Sequence, residues 1–117
     1  MDEYKATIVK EHIAVNEDIE ITESLRDSLQ GRHIYENVVK DEIVGIVDSA
    51  EIVEGVGVII EASIFDEEIK EKMDEGKLKP CPSLIVDTAG EMETRAYNVF
   101  MSDQPGSIVG PCEKINS

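Results

Sequence analysis

Residues 43–83 read IVGIVDSAEIVEGVGVIIEASIFDEEIKEKMDEGKLKPCPS, and this stretch decides the fold class. Two β-branched runs, residues 42–53 and 56–65, flank Glu54-Gly55, where glycine can supply the positive φ of a tight turn. That pattern predicts a hairpin. A short helix is predicted next: Asp66 can cap it, and Glu67 and Glu68 suit its positive end. Ile69 and Met73 share a face, and Gly76 can stop it. The run Pro80-Cys81-Pro82-Ser83 then leads into Leu84-Ile85-Val86. Two prolines two apart cannot both feed a central ladder, so Ser83 is expected at a strand mouth, after a stiff lead-in.

Working outward, the flanks repeat the same vocabulary. Residues 4–15 and 18–22 read as an opening strand pair turning at Asn16-Glu17. A brief helix follows, with Thr22 or Ser24 as cap, Leu25 and Leu29 on one face and Gly31 as stop. His33-Ile34-Tyr35 is extended. Beyond the Ser83 strand, residues 88–91 form a turn and 92–101 another strand. The ends, residues 1–3 and about 109–117, are expected to be irregular, given the Pro105-Gly106 and Gly110-Pro111 steps. Strands in succession without alternating helices favour one mostly β domain over residues 1–117, with two short helices. A small antiparallel barrel is the expected architecture.

Composition narrows the function classes. A chain of 117 residues with 41% apolar side chains can bury one core, and its apolar content is mostly Ile and Val. Richness in Glu, Lys, Ile and Val also resembles proteins from hot environments. Eleven basic against 26 acidic side chains give a formal charge of −15. That disfavours nucleic acid and anionic membranes as partners and suits a basic protein partner or a cation. No apolar run approaches the roughly 18 residues of a membrane span, and MDEYKATIVKEH lacks a signal-peptide core. A cytoplasmic setting is expected, in which Cys81 and Cys112 stay free thiols.

Three groups of residues can carry chemistry. Ser83 is a candidate nucleophile, which needs a base for its proton and donors for an oxyanion. The alternative is an ordinary strand-start serine. Ser–His chemistry must use His12 or His33, the two histidines present, or dispense with histidine. His12, between Glu11 and Ile13, reads as solvent-facing. His33 follows the first helix with Glu36 three residues on, and its plain alternative is a surface histidine. Asp66, Glu67 and Glu68 lack the alternating acids and distal Glu of a calcium loop. Neither cysteine has the spacing of a zinc knuckle, and no Gly-rich loop cradles phosphate. No cofactor or metal is expected.

From Gly31 onward the chain resembles the prohead maturation proteases of tailed viruses, whose fold is like that of the herpesvirus assemblin serine proteases. GRHIYENVVKDEIVGIVDSAEI (31–52) looks like that family's G-K-P-(apolar)-x-x-N-H segment and the glycine-bearing strand after it. VGVIIEASIFDEEIKEKMDEGKLKPCPS (56–83) resembles its hairpin partner, acidic helix, glycine and terminal nucleophilic serine. FMSDQPGS (100–107) is similar to its late strand and Pro-small turn. The likeness spans about residues 20–108.

The resemblance implies Ser83 as nucleophile. It places the family's histidine on Val38 when Gly31, Asn37 and Gly45 are held in register, and valine cannot accept a proton. His33 lies five residues earlier, an odd shift that changes face along a strand. The third member falls within residues 98–103, where Asp103 alone ionises. Loss of a triad base costs several orders of magnitude in rate. The implied function is therefore capsid assembly in a virus or provirus, as a catalytically impaired protease-fold protein that associates with capsid, scaffold or itself. Two alternatives stand beside it: an active serine endopeptidase using Ser83 with His33, and an unrelated acidic β domain binding a protein or cation.

Overall fold

A computed structural model describes residues 2–10, 21–37, 39, 42–85, 95–106 and 108–116. The predicted Asn16-Glu17 turn with its flanking strand, His12, Val38 and the 88–91 turn lie outside these residues. The elements are β1 (Asp2–Lys10), α1 (Glu23–Leu29), β2 (His33–Tyr35), β3 (Ile43–Val53), β4 (Gly57–Ile64), α2 (Glu67–Asp74), β5 (Lys79–Ile85), β6 (Arg95–Ser102) and β7 (Cys112–Asn116). The seven strands among the described residues join one sheet in the order β5-β6-β2-β3-β4-β1-β7, curled into a half-barrel. The protein is mostly β with two short helices, and one strand pair, β2 with β6, is parallel.

The hairpin forms where alternation and turn chemistry agree. Gly55 takes φ 83° within the turn, and β3 and β4 pair from Val53↔Gly57 to Gly45↔Ile64. At the far end the strands approach so closely that a Cβ on Gly45 would stand 2.6 Å from both Ile64 Cδ1 and Ser63 O. Glycine is therefore required there by space rather than by φ. One face of each strand feeds the core: Val58, Ile60, Ala62 and Ile64 of β4 are all buried, as are Tyr4 and Ala6 of β1. Leu25 and Leu29 of α1 and Ile69 and Met73 of α2 complete the same cluster.

Both helices start as their caps dictate. The Thr22 side chain accepts from Leu25 N–H at 3.2 Å, and Asp66 accepts from Ile69 N–H at 3.1 Å. The end of α2 is fastened to the sheet. Tyr4 OH donates to Asp74 Oδ1 at 2.9 Å, and Lys114 Nζ reaches Asp2 at 3.0 Å and Asp74 at 3.4 Å.

Three local expectations are corrected. The first residues are not irregular, because Asp2 and Glu3 already pair with Ile64 and Ser63. Nor is the tail: chain-breaking at Pro105-Gly106 and Gly110-Pro111 ends before Cys112, and β7 then pairs with β1 from Ala6↔Cys112 to Glu3↔Asn116. Ser83 is not at a strand mouth, since β5 starts at Lys79 and holds both prolines. Among the described residues β5 is a sheet edge, so one of its sides has no ladder to feed. Pro80 and Pro82, two apart, both lack their N–H on one and the same side.

Candidate functional site

Register places the sequence candidates on the outer face of the half-barrel. Ser83 pairs with Asn98 across β5 and β6. Ile34 pairs with Val99 across β2 and β6, so one residue earlier His33 stands level with Asn98. His33 in turn pairs with Ile46. Pro82, Val99 and Ile34 are buried and form the adjacent row facing the core. By alternation Ser83, Asn98 and His33 share the opposite face. The three stand side by side on consecutive strands.

That arrangement brings Ser83 and His33 to one level and one face but not to adjacent strands. With strands about 4.8 Å apart, their backbones are separated by about 10 Å, with Asn98 between. Proton transfer needs about 3 Å, so the imidazole has to lean across Asn98 to reach the hydroxyl. The Asn98 side chain is distinctive in itself: its Oδ1 is enclosed and has no hydrogen-bond partner among the described residues. Such an atom has given up water without compensation.

Asp103 is not brought to this row. It lies one residue beyond β6 and five from Asn98, about 16 Å along an extended chain. There it lines a separate hollow of about 480 Å³ between α2 and the end of β6, floored by Ile69, Leu78, Phe100 and Met101. Cys81, two residues before Ser83, is no substitute nucleophile. Burial pushes its thiol up to about 11, which keeps it protonated and inert at neutral pH. Cys112 is raised to about 11 for the same reason, and both cysteines are free.

Beside the row opens a cavity of about 390 Å³, between the end of α1 and the strands β2 and β6. Its wall includes Gln30, Arg32, His33, Tyr35, Tyr97 and Asn98. Arg32 is held by backbone carbonyls: Nε donates to Ser28 O at 2.7 Å and Nη1 to Tyr97 O at 3.0 Å. Ser28 ties the helix to β6, since its Oγ accepts from Ala96 N–H at 2.8 Å and donates to Leu25 O at 2.7 Å. A bulge aids the opening. The register shifts between Ser83 and Leu84, leaving Tyr97 unopposed and 56% exposed.

Sequence reasoning missed Asn98, Arg32 and Tyr97 as site residues. Each sits in an unremarkable local context, and only the β2–β6 and β5–β6 registers bring them beside Ser83 and His33. Among the described residues no three His, Cys, Asp or Glu side chains gather as metal ligands. No helix among them is long and apolar enough to cross a membrane. Comparison with protein-family models, curated proteins and solved structures finds no match.

Proposed function

We propose that this chain is a capsid-assembly protein of prohead-protease-like design that binds an extended peptide across the outer face of β5, β6 and β2 without cleaving it efficiently. One observation carries the reading: Asn98 stands in register between Ser83 and His33, so nucleophile and base share a face without sharing a strand boundary. The resemblance over residues 20–108 supports the assembly role through its order of hairpin, acidic helix and serine-bearing strand. The formal charge of −15 suits reversible association with a basic capsid or scaffold surface. Such binding weakens as salt rises, because exposed charges are screened.

The test is acylation. A fluorophosphonate probe is expected to modify the wild-type chain no faster than the Ser83→Ala variant. A second reading, an active serine endopeptidase, is favoured by the shared level and face of Ser83 and His33. It requires labelling of Ser83 that disappears in both Ser83→Ala and His33→Ala, and that result would overturn the first reading.

A further inference from the structure

We infer that the hollow between α2 and the end of β6 receives a large apolar side chain from a basic segment of a partner protein. The inference rests on reading the outer face as a peptide site, and adds to it the residue that anchors the peptide.

The hollow continues that face. Val99 and Met101 are buried towards the core, so by alternation Asn98, Phe100 and Ser102 lie on the outer side of β6. A peptide lying along β6 passes from the level of Asn98 to that of Phe100 in two residues, about 7 Å. There the surface gives way to a depression of about 480 Å³ with an apolar floor of Ile69, Leu78, Phe100 and Met101. Ile69 and Met101 are already buried, whereas Leu78 and Phe100 are only half-buried and leave apolar surface in contact with water. A large apolar side chain removes that surface from water, while a polar one gives up its own hydration to a floor without partners.

The rim decides which flank the anchor carries. Lys72 and Lys77 line the hollow, but each is held by a carboxylate of its own segment, Glu68 at 3.5 Å and Glu75 at 2.7 Å. Asp103 is exposed on the same rim, and no ion pair among the described residues engages it. With Glu36, which also lines the hollow, the carboxylates Glu36, Glu68, Glu75 and Asp103 face the two ammonium groups of Lys72 and Lys77. A lysine or arginine beside the anchor complements this excess, and an acidic flank is repelled by it. The formal charge of −15 acts in the same direction from further away.

The chain contains no tryptophan, so indole emission reports a tryptophan-bearing peptide alone. The probe is acetyl-Ser-Trp-Arg-Ser-amide, titrated against the full chain by fluorescence and, with ¹⁵N-labelled chain, by NMR. Its comparators carry glutamate in place of arginine or serine in place of tryptophan. A saturable blue shift is expected, with amide shifts at Leu78, Phe100, Met101 and Asp103. The arginine probe should bind roughly fivefold more tightly than the glutamate analogue, and about tenfold more tightly than the serine one. Asp103→Lys, at an exposed position beyond the strand, is expected to melt like wild type and to reverse the order of the arginine and glutamate probes. Leu78→Gln is expected to weaken the arginine probe several-fold. No saturable shift at these four amides, equal binding of the serine analogue, or wild-type preference for glutamate overturns the inference. Acylation is read separately. A labelled Ser83 with these preferences intact removes the non-cleaving reading and leaves the hollow standing; an unlabelled Ser83 with no saturable shift does the reverse.

Discussion

The half of the sheet built from β1, β4 and β3 and the half built from β2, β6 and β5 obey different rules. In the first, the strands are long, every pairing is antiparallel, and β3 and β4 adjoin through a three-residue turn. Its inward positions are apolar and its outward polar group is matched, Ser63 Oγ donating to Asp48 Oδ2 at 2.5 Å. In the second half, β2 has three residues and pairs in parallel with a strand more than sixty positions away. β5 carries two prolines, and Asn98 Oδ1 has no partner among the described residues, whereas register shifts occur in both halves, at Thr7/Val9 and Val47/Ser49 as well as opposite Tyr97. The halves therefore differ in strand length, strand direction and polar pairing, and the cavity opens where those are least regular.

The contrast can be broken most sharply by truncating the regular half. Ile60→Ala removes a fully buried side chain from the middle of β4 and should cost about 3 kcal/mol in chemical denaturation. A cost below about 1 kcal/mol would mean that β4 does not anchor the core. Gly45→Ala should cost about 2 kcal/mol, because the new methyl meets both the Ile64 side chain and the Ser63 carbonyl and the strands must part.

A pH titration sharpens the same comparison, because its groups span both halves. Burial, then the bond to Asp74, raises Tyr4 above its ordinary value, and burial raises Cys81 and Cys112 to about 11. These groups stay protonated in the folded chain while the unfolded chain ionises. Their contribution is therefore complete below about pH 9 and is lost as pH rises towards 11 and beyond. The limiting slope is about 1.4 kcal/mol per pH unit for each group that ionises only on unfolding. Stability that stays flat from pH 9 to 11 would contradict the burial of both thiols.

In the irregular half the signs change. Asn98→Leu should stabilise the chain by about 1 kcal/mol, since an enclosed unpaired acceptor is removed. A loss of that size would show that Oδ1 has a partner in solution. Ser83→Ala should alter stability by less than about 0.5 kcal/mol, as for an outward-facing position away from the core. A larger cost would assign Ser83 a structural role in β5.

Much of the fold was legible in residues 43–76, because the hairpin and α2 are set by neighbours in sequence. Val and Ile alternate, Gly55 supplies the turn, and Asp66 caps the helix it precedes. Ser83 and His33 were singled out by chemistry alone, and the sheet does put them on one face. Residue type and short-range spacing therefore determined the mostly β class, both helices and two members of the outer row. Tertiary structure decided the rest: that β7 returns to β1, that β2 lies parallel to β6, and that Asn98 falls between Ser83 and His33. Those facts are registers between strands distant in the chain. A register is fixed by which apolar faces must share one core, a condition that no local stretch of sequence contains.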